Sequence, residues 1–334
     1  MSSDTGTSVA EADFNGGRSA WMSFLIHYGR QVGLPLAVLG LIAIFSLSSE
    51  YFLNLQNFRN IGLQAAALAA VCFGQTAVIL TAGLDLSVGS TVALVSVVTA
   101  LIMIEFGIPA GLVAGLLAGT AVGLVNGPIV TRLKVFPFIA TLAMMSFAAG
   151  LALNLSGGVP LTGLSTGFTD VAYQNIAGIP LPVVVAAALL VITFVILRYL
   201  RIGRNIYAVG GNQEAARLSG IKVDAVRLAA YMFCGFCAAV GSLILTARVA
   251  SGQPTLGSTL PLESVAAVVL GGVSLFGGRG SVIGVAFGVA FISILSNGLN
   301  LLNVSSYTQM MVVGAALAGA VALDQFVVQR GAGN

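Results

Sequence analysis

The sequence predicts an all-α, polytopic membrane protein of about ten transmembrane helices. Three observations lead there. The 334 residues are 57% hydrophobic with a mean hydropathy of +1.02. Charged residues make up only 7%, against roughly 25% in a soluble domain. The apolar runs are long and continuous, whereas a membrane barrel shows alternating segments of about ten residues. A surface so poor in charge excludes a soluble enzyme. A net charge of +3 gives no reason for a nucleic-acid partner, and three cysteines do not make a disulfide scaffold. The 42 glycines are nearly twice the usual share, as close helix packing in lipid requires.

Taken in order, residues 1–31 are polar, with Asp4, Glu11, Asp13 and Arg18, and contain no apolar core of the kind a cleavable signal needs. They read as a cytoplasmic tail, with a possible interfacial helix over 20–31 that sets Trp21 and Tyr28 at headgroup depth. His27 is the single histidine and offers no metal site. A permease-like membrane domain follows over 32–328, then a short cytoplasmic tail, 329–334. A span needs about 20 apolar residues. Runs between polar or Gly/Pro breaks fall at 32–48, 61–82, 87–106, 109–131, 137–155, 180–200, 226–249, 262–276, 281–302 and 306–328. The eighth is short, and reads as broken or only partly inserted.

Lysines and arginines favour the cytoplasmic side. With ten spans and the amino end inside, twelve of the 14 basic residues fall in inside segments, leaving only Arg59 and Arg248 outside. Both termini are then cytoplasmic. The longest inside segment, 201–225, contains a short helix. Asn212 is its N-cap, Glu214 and Arg217 suit the macrodipole, and Gly220 is its left-handed stop. So short a helix needs a partner surface. The outside segment 156–179 is polar and rich in Gly and Thr, and suits either an ordered cap or a plain loop.

Polar groups at membrane depth face a cavity or a neighbouring helix. Asp85 interrupts a long apolar stretch within Gly83–Ser90 and reads as a structural cap of the third span. The other mid-span groups are mainly amides, and Glu105, Glu263 and Asp324 read as near span ends. That pattern disfavours a proton-coupled carrier. Gln75, Asn126, Phe138 and Asn297 are the candidate substrate path, because amides exchange hydrogen bonds with hydroxyls and an aromatic face packs on a sugar ring. Helix–helix hydrogen bonding is the competing reading for each amide. Cys234 and Cys237 have redox spacing but lie inside a span, where small apolar packing explains them. The glycine-rich stretch 271–281 lacks GK[ST], so the chain shows no ATP site, no cofactor site and no catalytic residues.

Several strings resemble the permease subunits of ribose-type ABC sugar importers: GLDLSVGS at 83–90, PFIATLAMM at 137–145, GGNQEAARLSGI at 210–221, SGQPTLG at 251–257, AAVVLGGVSLFGGRGSVIG at 266–284 and NGLNLLNVSSY at 297–307. The resemblance runs from about residue 32 to 328. It implies a fold like the vitamin B12 importer's permease, in the bacterial inner membrane. It also implies a second permease subunit (an identical chain more readily than a different one), an external substrate-binding protein and a separate cytoplasmic ABC ATPase. Asn212, Glu214, Ala215, Arg217, Leu218 and Ser219 would form the coupling helix that docks on that ATPase. The cargo would be a monosaccharide or similar small hydroxylated solute, moved by alternating access. A nucleoside, polyol or furanosyl signalling molecule is the alternative within the family, and a secondary transporter the alternative outside it. Departures exist: Pro261 stands where the family often has an acid, Ala143 replaces a frequent glycine, and 156–179 matches no family string.

Overall fold

The structure, a computed structural model, describes residues 33–331. The tail and interfacial helix expected over 1–31 lie outside the described residues, as do 332–334. The chain is almost wholly helical. Its long elements are α1 (Gly33–Ser48), α2 (Leu55–Leu80), α3 (Val88–Phe106), α4 (Ile108–Thr131) and α5 (Pro137–Ser156). A small cap follows: α6 (Thr166–Thr169), a 3-10 turn (Asp170–Ala172), and the paired two-residue strands β1 (Asn175–Ile176) and β2 (Ile179–Pro180). Then come α7 (Leu181–Tyr199), α8 (Arg201–Gly211), α9 (Gln213–Leu218), α10 (Val223–Val249), α11 (Leu260–Leu270), α12 (Val282–Leu301) and α13 (Ser306–Gly331).

Each apolar run of the sequence falls on one helix. Among the described residues, seven helices are long and apolar enough to cross a membrane. The run 262–276 is not one of them, because its helix, α11, has 11 residues and ends at Leu270. Helix α2 starts earlier than expected, at Leu55, because Asn54 caps it by accepting the Gln56 amide at 3.0 Å. The breaks fall where the backbone demands them. Gly107, between α3 and α4, has φ +84, and Gly157, after α5, has φ +64, conformations that cost glycine little.

Helix α2 is the axis of the bundle, buried almost continuously from Ala66 to Leu80. Helices α7, α10, α11 and α12 pack around it, and α3 and α4 pack on α10. The α4–α10 contact rests on glycine at every fourth position. A methyl group on Gly119 would lie 2.5 Å from the Gly235 carbonyl oxygen. One on Gly235 would overlap the Gly119 carbonyl, and one on Gly123 would overlap the Tyr231 carbonyl. The two backbones therefore touch directly, the small-residue packing by which helices associate in lipid without a hydrophobic driving force.

The joins α2–α3, α4–α5, α7–α10 and α11–α12 lie at one end of the bundle. They carry Arg132, Lys134, Arg201, Arg204, Arg217, Lys222 and Arg279. We call this end the basic face.

Candidate transport path and coupling surface

Between α10 and α11 the chain does not stay at the face opposite the basic one. Gly252 pairs with Leu161 of the cap, through amide-to-carbonyl bonds of 2.8 and 2.9 Å, and sits beside Ala100 of α3. The Gln253 amide donates to the Ser96 hydroxyl at 3.1 Å. Gly257 then lies against Val92, and its carbonyl oxygen against Gly89. From Ala100 to Gly89 this irregular chain tracks α3 for about 16 Å at 1.5 Å per residue, half of a ~30 Å hydrocarbon core. Helix α11 completes the crossing, ending where Gly271 meets Gly284 and Val285 of α12. The eighth run is thus half of a broken span, an extended stretch followed by a half-helix.

Irregular backbone at this depth survives only where protein covers it or where it lines an aqueous cavity. One side of the stretch is covered: Ser251, Gly252, Pro254, Leu260 and Pro261 are buried. The other side is not. Thr255 and Ser258 are exposed, Gln253 and Thr259 are half-buried, and Leu262 is 57% exposed. Glu263 stands in the first turn of α11. The next residue, Ser264, has its carbonyl oxygen 3.8 Å from Cys72 Sγ, a residue about 12 Å along α2 from its basic end. Glu263 therefore lies near mid-depth and not, as expected, near a span end.

The four residues expected to line a path do not share a cavity. Gln75 is fully buried, with Cys234 Sγ donating to its Oε1 at 3.6 Å. Asn297 Nδ2 donates to Asn57 Oδ1 at 2.9 Å, tying α12 to α2. Asn126 Nδ2 donates to Ser87 Oγ at 2.9 Å, tying α4 to the base of α3. Each of these amides keeps one buried atom without a partner: Gln75 Nε2, Asn126 Oδ1 and Asn297 Oδ1. Phe138 is apart from them, 45% exposed in the first turn of α5 at the basic face.

Asp85 serves the turn that leads into α3. Its Oδ1 accepts the Ser87 amide at 2.9 Å and the Ser87 hydroxyl at 2.5 Å. The cap position itself is held by Ser87, whose side chain makes no capping bond. The neighbouring Leu84 carbonyl accepts the Tyr231 and Thr141 hydroxyls, both at 3.3 Å. A polar turn is thereby satisfied inside the bundle by α4, α5 and α10. An apolar cavity of about 300 Å³ beside α4, α7 and α10 has Leu112, Phe168, Leu181 and Phe236 among its lining. It offers no partner to a hydroxylated solute.

At the basic face, α9 forms as its caps dictate. Asn212 Oδ1 accepts the Ala215 amide at 2.9 Å, Ser219 Oγ donates to the Ala215 carbonyl at 2.9 Å, and Gly220 takes φ +81. Ala216 is buried, while Glu214, Arg217 and Leu218 face outward, Leu218 at 82% exposure. Helix α8, with alternating polar and apolar faces, precedes it and ties it to the core. Tyr207 donates to the Gly280 carbonyl at 3.0 Å. Burial raises its phenol above the ordinary tyrosine value, against the pull of Arg198, so it remains a donor at neutral pH. Gly210 packs on the Leu80 carbonyl at the end of α2, and that carbonyl also accepts the Gly278 amide at 3.0 Å. Three backbone segments, from α2, α8 and the α11–α12 join, therefore meet without side chains between them.

A family described as the branched-chain amino acid transport system / permease component matches residues 57–321. The chain belongs to this permease family. The permease is 42% identical over 299 residues to the ribose import permease protein RbsC of Bacillus subtilis, covering 89% of this chain and 93% of that one. It is 42% identical over 297 residues to RbsC of Escherichia coli, covering 86% and 92%. It is 37% identical over 290 residues to the D-allose transport system permease protein AlsC of E. coli, covering 86% and 89%. No solved structure matches the permease.

Sequence reasoning did not place the polar stretch Gln253–Thr259 alongside α3. Its polarity made it look like an outside loop. The signal was present in SGQPTLG, two residues before a Pro-containing helix start too short to cross alone.

Proposed function

We propose that the permease is the membrane-spanning subunit of an ATP-driven importer that moves a monosaccharide or a similar small hydroxylated solute into the cytoplasm. The observation that carries this reading is near-full-length similarity to permeases named for ribose and allose. The basic face is cytoplasmic by the distribution of lysine and arginine, which makes both termini cytoplasmic in a bacterial inner membrane. The ten apolar elements, α11 with its extended lead counted as one, suit the fold of the vitamin B12 importer's permease.

The chain holds no ATP site in this reading. A separate ATPase engages Asn212, Glu214, Ala215, Arg217, Leu218 and Ser219, and a soluble binding protein delivers solute at the opposite face. A second copy of the chain completes the path, which explains how Thr255 and Ser258 stay uncovered at membrane depth in a single subunit. Their hydroxyls, with Gln253 and Thr259, exchange hydrogen bonds with a neutral solute. Gln75, Asn126 and Asn297 act on the path through helix contacts, with spare amide atoms that a rearranged bundle can use. Alternating access then means re-packing around the broken span.

The test is uptake per assembled complex. Thr255→Val combined with Ser258→Val is expected to lower it about tenfold, the worth of roughly one hydrogen bond to the solute. Apparent affinity stays unchanged, because the binding protein sets it. Asn126→Ala is expected to lower the amount of complex and not the rate per complex. Normal uptake per complex in the Thr255/Ser258 variant would remove the stretch from the path.

A further inference from the structure

The basic face holds a second feature that neither the path nor the coupling helix uses. A crevice of about 690 Å³ opens where α7 ends and α12 begins, with Phe194, Leu197, Arg198, Arg204, Tyr207 and Ser281 among its lining. It is amphipathic along its length. Phe194 and Leu197 lie within the last turns of α7, a helix long and apolar enough to span the membrane. Arg198 and Arg204 lie at its polar end, both exposed. No acidic residue lines it. Among the described residues, neither guanidinium meets a carboxylate. Arg204 Nη1 donates to the Tyr199 carbonyl at 3.4 Å. A neighbouring cavity of about 460 Å³ shares Gly280 and Ser281 and adds Arg279, again with no acid. Three arginines therefore surround one strip of backbone, with no acidic residue in the lining of either cavity among the described residues, at the basic ends of α7 and α12.

We propose that this crevice binds the phosphate of an anionic glycerophospholipid from the leaflet at the basic face, with its acyl chain along Phe194 and Leu197. The lining asks for a ligand with a negative head and an apolar tail, and basic pockets between spans at the cytoplasmic surface take such headgroups. Guanidinium groups bind phosphate in fixed, paired geometry. The chain's own amino-terminal residues would be a poor occupant. The stretch that leads into α1 carries Arg18 and Arg30 and has no acid from Phe14 to Val32. The proposal concerns the full-length permease alone and does not depend on how it couples to ATP.

The experiment is native mass spectrometry of the full-length permease released from detergent with phosphatidylglycerol or phosphatidylcholine of matched chains. The wild type is expected to retain phosphatidylglycerol preferentially. Arg198→Gln combined with Arg204→Gln is expected to lose that preference about 25-fold, at about fivefold per charge removed, while keeping its phosphatidylcholine adducts and its thermal midpoint. Lys134→Gln, which removes a charge from the same face outside the crevice, is expected to retain the preference. Millimolar inorganic phosphate is expected to leave the lipid in place. The proposal is overturned if the double variant keeps the preference, if Lys134→Gln loses it equally, or if free phosphate displaces the lipid.

Discussion

Gly119→Val is expected to lower the amount of folded permease in the membrane severalfold. At this position α4 and α10 touch backbone to backbone. A Cβ on Gly119 would sit 2.5 Å from the Gly235 carbonyl oxygen and 2.8 Å from the Ala239 methyl. Neither neighbour has a torsion that moves it aside, so the helices must separate. Separation carries Gly123 away from Tyr231 and Gly127 away from Leu228. It also strains the Asn126–Ser87 hydrogen bond that holds the base of α3. Overpacking a core costs about 1–3 kcal/mol where side chains can adjust, so a seam of rigid backbone belongs at or above the top of that range. Against a total stability of roughly 5–15 kcal/mol, that is a large share of the margin, and losses of this size lower the steady-state amount of a protein severalfold through degradation. Gly150→Val in α5 is the control, because a Cβ there meets nothing within 4 Å. The yield of monodisperse protein extracted from membranes checks both. Equal yields would show that the α4–α10 seam is not the contact that holds the bundle.

Gly210→Ala is expected to separate ATP hydrolysis from transport. Its methyl would overlap the Leu80 carbonyl oxygen, with the Gly278 amide 2.5 Å away. Helix α8 lies at the surface of the bundle, so the fold tolerates its displacement better than a wedge at Gly119. The displaced helix no longer bears on α2 and the α11–α12 join. Motion imposed on α9 then stops at α8, and uptake per assembled complex falls about tenfold or more, a barrier change of only about 1.4 kcal/mol. Gly211→Ala, at the next position, meets nothing within 4 Å and is expected to transport normally. Proteoliposome uptake and ATPase rate, measured on both variants, decide the matter. Equal uptake by the two would show that the three-backbone junction carries no coupling.

Much of this architecture was legible in the residues. Breaks at Gly107 and Gly157 and the Asn212–Gly220 limits of α9 follow from glycine conformation and capping alone. What was not legible came from tertiary satisfaction of polar groups. Gln56, Asn57 and Arg59 disguised the first turns of α2, whose polarity Asn54 and Asn297 help absorb. Helix α8 passed for loop because its apolar stripe is short and its partners lie far away in sequence. Three path amides looked alike in isolation, yet Asn126 and Asn297 find partners on other elements and Gln75 meets a thiol. The glycines of α4 were visible at a spacing of four, but counting glycine over the whole chain hid their alignment. Glu263 was misjudged for a different reason. Its depth depends on an extended segment entering the membrane, which hydropathy reads as a loop. A mid-depth acid weakens the sequence argument against an ion-coupled carrier, and the family match, not the charge pattern, carries that exclusion.

The most direct measurement of the central claim is uptake of a panel of radiolabelled monosaccharides into proteoliposomes containing the permease. The account predicts uptake only when the ATPase, the binding protein and ATP are all present, and none when a proton or sodium gradient is imposed on the permease alone. Gradient-driven accumulation by the permease without its partners would contradict it.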